Sequence, residues 1–257
     1  MKHLEEEFKP ILVSGIPVHS YPKEVFLDYL KNSIEGDRKK RHIGITNTEA
    51  MYYAKRLPEF NEYVTSATFS LCDGIGSVIA GKFQGQSIKR FNGPDFMLSC
   101  CEYGQEYGWR HFFYGGKEGV ADLLVENLKL KFPKLEVAGT FCPPFRTMNE
   151  EEKSSMLKEV SNSNADIIWV GLGLLKQENW IAENKELLNI PWSVGVGAAF
   201  DFYAGTAKRA PLPFRKLGFE WLYRLILEPR MFKRNLNSYQ FMFSAIGDGI
   251  KKIGKIK

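Results

Sequence analysis

In the stretch "CDGIG" a single carboxylate, Asp73, follows the apolar run "ATFSLC" and has glycine on its far side. A carboxylate so placed can cap the helix that follows. With its pKa tuned by burial it can instead take a proton from an attacking hydroxyl; spacing alone favours the cap. In "RFNGPD", a little further on, Arg90 can hold a phosphate or bridge to Asp95. "GLLKQENW" then offers Lys176, Gln177, Glu178 and Trp180 at a junction of strand and helix patterns. An amide that both donates and accepts suits a sugar or a uracil edge. The ordinary role of such a segment is helix-start chemistry, with Glu178 at the positive end of the helix dipole.

Two glycine runs, "GLGLLK" with Gly171 and Gly173 and "GVGAAF" before Asp201, begin like a dinucleotide fingerprint. Their sixth positions are Lys176 and Phe200, and neither run lies in the first strand–helix unit, where that fingerprint belongs. They remain either glycines that let backbone N–H groups approach a phosphate or tight turns. No D-x-D occurs, which weakens any scheme in which paired carboxylates hold a metal against a nucleotide diphosphate. The four cysteines show no CxxC and the four histidines no HExxH, so zinc spacing is absent as well, and no metal and no cofactor is expected. Charge on a leaving group would then fall to Arg, Lys or helix dipoles. Arg224, Arg230 and Arg234 lead that list, because guanidinium gives planar bidentate bonding to phosphate oxygens.

The elements that must position these groups are legible as alternation. Short apolar runs ("ILVSGIPV", "HIGITN", "ATFSLCD", "RHFFYGG", "LEVAGTF", "DIIWVGLG", "WSVGVGAAFD") alternate with helical patterns, the clearest over 117–131, where Val120, Leu123, Leu124 and Leu128 share a face before Pro133. Repeated strand–helix–strand argues an α/β fold, a mostly parallel sheet with helices on both faces. Ligands of such sheets bind beyond the carboxyl ends of the strands. Asn47, Asp73, Gly115, Gly116, Gly139, Thr140, Gly171 to Gln177 and Asp201 are all expected there, where a strand pattern gives way to a loop.

Charge divides the chain in two. From Lys208 onward twelve Lys or Arg face three acids, a net +9, whereas residues 1–207 carry a net −4. After Pro211 the pattern becomes helical and rich in Trp, Tyr, Phe and Arg, with Pro229 suited to the first turn of a helix. We therefore expect an α/β core over 1–207 and a helical basic appendage over 208–257, facing an anionic partner. The acidic start "MKHLEEEF" has no signal-peptide pattern and no apolar run approaches the roughly 18 residues of a membrane span, so a cytoplasmic protein is expected.

Taken together, "CDGIG" with "RFNGPD", "YGG", "GTFCPPFR", "DIIWVGLGLLKQENW", "VGVGAAFDFYAG" and "RAPLPFRKLGFEWLYRLILEPRMFKR" resemble the WecG/TagA/CpsF family of bacterial glycosyltransferases, over about residues 43–234. The resemblance implies a Rossmann-like core with a helical C-terminal appendage. It implies metal-independent, inverting transfer of a sugar from a UDP-sugar to a polyprenyl-pyrophosphate-linked sugar, in bacterial surface-polysaccharide or wall-polymer synthesis at the inner face of the cell membrane. Carried over residue by residue, it makes Asp73 the base, Asn47 the polar residue of the T-x-N segment and Arg90 the phosphate- or acceptor-side arginine. Gln177 is the glutamine of "PKQE", Asp201 a nucleotide contact, and Arg224, Arg230 and Arg234 the arginines of the appendage. This chain has Ile45 where the family carries threonine, with Thr46 shifted by one, and Leu175 where proline is usual.

The expected partners are thus a UDP-sugar, a lipid-pyrophosphate-linked sugar and the membrane surface, with no nucleic acid; a homo-oligomer and the donor sugar (N-acetylmannosamine, its uronate or glucose) stay open. The appendage is expected to contact the membrane and to act as a lid over the active site. Competing readings are a dinucleotide oxidoreductase, disfavoured by the broken glycine fingerprint, and a basic membrane- or nucleic-acid-binding module, whose nucleic-acid form lacks any motif.

Overall fold

The longest apolar runs become the central strands. The computed structural model describes the backbone of residues 8–227 and 232–254 and the side chains of residues 8–223, 225, 226 and 236–250. Six strands form one sheet: β3 (Arg41–Thr46), β4 (Phe69–Cys72), β5 (Arg110–Gly115), β6 (Glu136–Phe141), β7 (Ile167–Gly171) and β8 (Trp192–Gly195), in the order β4-β3-β8-β7-β5-β6. Neighbours pair in parallel, for example Ile168 with Ser193 and Phe113 with Trp169. Residues 167–170 and 192–195 are buried throughout, as strands covered on both faces require. The chain is an α/β protein with a parallel sheet flanked by helices and with helices at its C-terminal end.

The chain divides into two compact units, one of Met1–Tyr21, Gly44–Asn92 and Arg209–Lys257, the other of Pro22–Ile43 and Gly93–Lys208. In the first, "ILVSGIPV" is not one strand but the antiparallel hairpin β1 (Ile11–Val13) and β2 (Ile16–Val18). Ser14 and Gly15 both take positive φ (49° and 86°), the combination a two-residue hairpin turn of matching twist demands. The same unit holds β4, with α2 (Thr48–Ala54), α3 (Pro58–Thr65), α4 (Ile75–Phe83), α10 (Leu212–Leu217), α11 (Glu220–Leu227) and α12 (Phe232–Gly254).

Helix α12 packs on α2 and α4. It buries Phe241 and Ala245, and the Ala245 carbonyl accepts from Gln84 Nε2 at 3.1 Å. Gly249 lets it approach closely, since a Cβ there would stand 2.5 Å from the Phe83 carbonyl oxygen. Among the described residues its other face is exposed, with Phe243 at 69%. No helix among the described residues is long and apolar enough to cross a membrane.

The second unit contains β5 to β8 with α1 (Lys23–Glu35), α5 (Gly93–Gly104), α6 (Val120–Lys131), α7 (Glu150–Asn162), α8 (Lys176–Asn184) and α9 (Ala199–Tyr203). Its core is aromatic: Trp109, Phe112, Phe113, Tyr114, Trp169 and Trp192 are each at most 2% exposed. On α6, Val120, Leu124 and Leu128 are buried as the helical period predicts, whereas Leu123, expected on the same face, is 44% exposed. Helix α7 starts on a complete capping box, Asn149 Oδ1 accepting from Glu152 N and Glu152 Oε2 from Asn149 N.

Each unit also buries a neutral histidine. In the first, His19 Nδ1 accepts from Ser70 N at 2.9 Å; in the second, His111 Nδ1 accepts from Trp169 Nε1 at 3.0 Å. Burial lowers both imidazoles to about 4.

Two expectations about strand ends need correction. "WSVGVGAAFD" is strand only to Gly195; Gly197 turns at φ 50° and Asp201 lies on the short helix α9. The Ala-Ala-Phe run is as good a helix former as a strand former, and the helix wins. Gly139 lies inside β6, beside the register shift that separates His111 from Phe112, and not at the strand's mouth. A Cβ there would sit 2.7 Å from the Phe112 ring, so this glycine serves close packing.

Candidate active site

In the first unit the loops after β3 and β4 abut. A Cβ on Gly74 would lie 3.5 Å from Asn47 Cβ, and one on Gly76 only 2.7 Å from Thr48 Cγ2. Asn47 caps α2, its Oδ1 accepting from Ala50 N at 2.8 Å, which fixes the side chain at the end of β3. Asp73 is tied back by its own N–H to the Thr46 carbonyl at 3.2 Å. Asp73 is half-buried and does not cap the next helix: the N-cap of α4 is Gly74, and no side chain caps it. The structural role that spacing favoured is therefore not the one adopted. Thr46, one position off the expected hydroxyl, is buried and bonded to Ser70 Oγ at 2.6 Å, so that hydroxyl is used inside the fold.

Two arginines join this end of the unit. Arg90 donates through Nη2 to the carbonyl of Arg215, the residue whose carbonyl also accepts from Gly218 N as α10 ends. Gly218, at φ 79°, lies where a Cβ would strike Ile75 at 2.6 Å, so α10 closes directly against the start of α4, two residues past Asp73. Arg215 Nε is itself buried without a hydrogen-bond acceptor among the described residues. Burial pushes the neighbouring Cys72 thiol up to about 12; Asp73 adds to the rise and Arg90 opposes it, which places both charges within electrostatic reach of one atom. Arg209 is engaged by Glu220 Oε1 at 3.4 Å and by Asn92 Oδ1 at 3.3 Å. Of the three expected appendage arginines, Arg230 lies outside the described residues. Arg224 and Arg234 lie on the α11 and α12 backbones with side chains outside the described residues, and Pro229 lies outside the described residues altogether.

In the second unit, strands β5, β7 and β8 all end in glycine, and the neighbours need that. A Cβ on Gly115 would meet the Gly171 carbonyl at 2.7 Å, one on Gly171 the Phe200 ring at 2.7 Å, and one on Gly195 three Gln177 side-chain atoms at 2.9 Å. Gln177 thus lies flat over Gly195 and is only 5% exposed. Its Nε2 donates to Glu178 Oε1 at 2.8 Å, while its Oε1, near Gly197, has no partner among the described residues. An unmet buried carbonyl costs about 1–3 kcal/mol. Such a cost is tolerated where a ligand supplies the missing donor, as a sugar hydroxyl or a uracil N–H would.

Gly173 turns at φ 84° with open space around it, and Leu175, the N-cap of α8, sits at φ 71°, ψ −46°, a conformation close to the strained γ-turn. Asp201 is half-buried on α9; its Oδ1 accepts from Thr206 Oγ1 at 3.2 Å and its carbonyl from the Thr206 and Ala207 N–H groups, so it also braces the turn at Gly205.

The structure therefore brings Asn47, Asp73 and Arg90 to one part of the first unit, and Gly171, Gly173 and Gln177 to one part of the second, with Asp201 on α9 and Gly139 in the packing behind. Sequence reasoning missed Arg215, whose setting in "PFRKLG" reads as a solvated basic helix and gives no spacing signal. It also missed Gly195 as the floor beneath Gln177; a glycine at a strand end before the run that follows was the available sign.

Residues 11–254 match the family described as the glycosyl transferase WecG/TagA/CpsF family. The N-acetylglucosaminyldiphosphoundecaprenol N-acetyl-beta-D-mannosaminyltransferase of Bacillus spizizenii is 29% identical over 222 residues, 86% of this chain and 84% of the relative. The protein of that name from Bacillus subtilis is 27% identical over 235 residues (91% and 90%), and the one from Staphylococcus aureus 28% over 212 (82% and 81%). The chain is a glycosyltransferase and belongs to the WecG/TagA/CpsF family.

Proposed function

We propose that the chain transfers N-acetylmannosamine from its UDP derivative to N-acetylglucosaminyl-diphosphoundecaprenol, with inversion, in the synthesis of a lipid-linked envelope polymer. Donor and acceptor are taken from the shared name of the three relatives. The observation that carries the chemistry is Asp73: a half-buried carboxylate at a strand end, beside the Asn47 cap, in a loop whose helix is capped by glycine instead.

The acceptor hydroxyl attacks the anomeric carbon of the donor. Its proton passes to the Asp73 carboxylate, the new C–O bond forms on one face, and the bond to the diphosphate breaks on the other, releasing UDP. Positioning of the nucleophile and stabilisation of the leaving diphosphate supply most of the rate. Asn47 orients the acceptor, and Arg90 meets phosphate charge. Gln177 accepts a hydrogen bond from the donor through Oε1, Gly171 and Gly173 let backbone approach it, and Asp201 contacts the nucleotide. Arg224, Arg230 and Arg234 act on the diphosphate from the appendage.

Because the acceptor is a lipid, the reaction takes place at a membrane surface. The exposed apolar side chains Leu212, Phe214, Leu217, Phe219 and Ile226 suit a lipid interface. The test is UDP release from a panel of UDP-sugars with a short-chain lipid-diphosphate N-acetylglucosamine. UDP-N-acetylmannosamine should be turned over well above UDP-glucose, and no turnover of any UDP-sugar would overturn the reading.

A further inference from the structure

We propose that Arg215 and Arg90 form a diphosphate-binding pair at the Asp73 end of the first unit, with Arg215 as the group that grips the anion. This rests on the glycosyltransferase reading above and deepens it. The residue is not among those the family resemblance supplied, and four observations carry it.

First, Arg215 Nε is buried and lacks an acceptor among the described residues. The guanidinium is a cation, so Nε is a buried positive donor with a bond unmade, on a side chain that is itself only half-buried. Its Nε edge is also one of the two donors a guanidinium uses for bidentate capture of phosphate. Second, neither Arg215 nor Arg90 has a carboxylate within ion-pair distance among the described residues, although Arg209 in the same segment does, with Glu220. Third, the pair is built, not accidental. Arg90 bonds the Arg215 carbonyl, and the turn at Gly218 seats against Ile75. Both arginines are therefore fixed relative to the Asp73–Gly74–Ile75 loop, within one compact unit. Fourth, α10 buries none of its own side chains, so these two anchors, with the Phe214 ring against Tyr223 of α11, define where Arg215 stands.

A diphosphate suits two guanidinium groups carried in one compact unit, because its charge and its oxygens exceed what a monoanion offers. The reaction offers two sources of that group: the UDP of the donor and the lipid diphosphate of the acceptor.

The experiment uses the full chain and the variants Arg215→Gln, Arg215→Lys and Lys216→Gln. Two readouts are needed: stabilisation by inorganic pyrophosphate and by UDP in thermal melts, and KM for donor and acceptor measured separately. Arg215→Gln should melt as the wild type does without ligand, because the carbonyl that holds Arg90 is kept. It should lose most of the pyrophosphate stabilisation and raise KM for one substrate by about tenfold or more. A rise for donor and UDP identifies the nucleotide as the source; a rise for the acceptor identifies the lipid. Arg215→Lys should fall between, and the exposed Lys216→Gln should match the wild type.

Unchanged pyrophosphate stabilisation with both KM values unchanged in Arg215→Gln overturns the pair, as does an equal loss in Lys216→Gln, which would mean diffuse charge. If the wild type transfers no sugar while pyrophosphate binding still depends on Arg215, the assigned reaction fails and the anion site stands. If Arg215→Gln does not fold, Arg215→Lys decides on the same two readouts.

Discussion

The unit that carries Gln177 and the unit that carries Asp73 hold their functional groups by different means. In the former, parallel strands buried on both faces end in glycines, and the side chains that matter lie directly on bare backbone, as Gln177 does on Gly195. In the latter, Arg215 rides on a short helix: α10 buries no side chain and is held by the bond from Arg90, the contact at Gly218 and the Phe214 ring against Tyr223 of α11. Close packing tolerates little change in volume, whereas a segment with few buried contacts moves at low free-energy cost. Substitutions in the Gln177 unit should therefore register first as stability, and those in the Asp73 unit first as substrate binding and rate.

The largest expected effect tests the Asp73 side. Asp73→Asn should cut turnover by about 10²–10⁴-fold, the usual contribution of a general base, in a protein that still folds. Wild-type turnover in a folded Asp73→Asn protein would remove the base from the mechanism. Next in size is acid sensitivity, which both units share. His19 and His111 have folded values near 4 against 6.5 when unfolded, so the unfolded chain takes up protons first as pH falls. Stability is intact above about 6.5 and is lost between there and about 4, by up to about 3 kcal/mol for each histidine. Urea melts across that range check the sign. Four of the five tryptophans lie in the Gln177 unit, so fluorescence follows that unit and separates it from the circular dichroism of the whole.

A smaller effect is expected from Gly171→Ala, whose methyl would press on the buried Phe200 ring; it should cost about 1–3 kcal/mol in chemical denaturation. A neutral result would mean that the strand ends are looser than their geometry implies. The smallest stability change should come from Leu217→Ser on exposed α10, within about 0.5 kcal/mol. The same variant should bind anionic vesicles measurably less tightly in a sedimentation assay. A large loss of stability with unaltered vesicle binding would reverse the contrast between the units.

What was legible in the sequence follows from the same contrast. The runs "RHFFYGG" and "DIIWVGLG" announced β5 and β7 because strands buried on both faces must be apolar along their length. The hairpin in "ILVSGIPV" was hidden because Ser14 takes a positive φ that serine does not advertise, so only Gly15 marked the turn. Asp201 was placed on a strand because "VGVGAAF" has no polar break; only the turn at Gly197 ends the strand and admits a helix. Asp73 was visible as a residue but not as a role, since cap and base look alike until the actual N-cap is known. Arg215 was invisible, because the side-chain bond that fixes its backbone comes from Arg90, 125 positions earlier in the chain.

Leu175 has a consequence for anyone wishing to engineer the protein. Proline is locked near −65° in φ and could not occupy the backbone found here at 71°. Restoring the family's usual proline would thus rebuild the entrance to α8 instead of stiffening it. Glycine at 175 would release local strain and raise heat tolerance. Since the next two residues are Lys176 and Gln177, the gain in durability and the looseness of the glutamine's perch would be set by the same peptide unit, a trade between endurance and turnover at a single position.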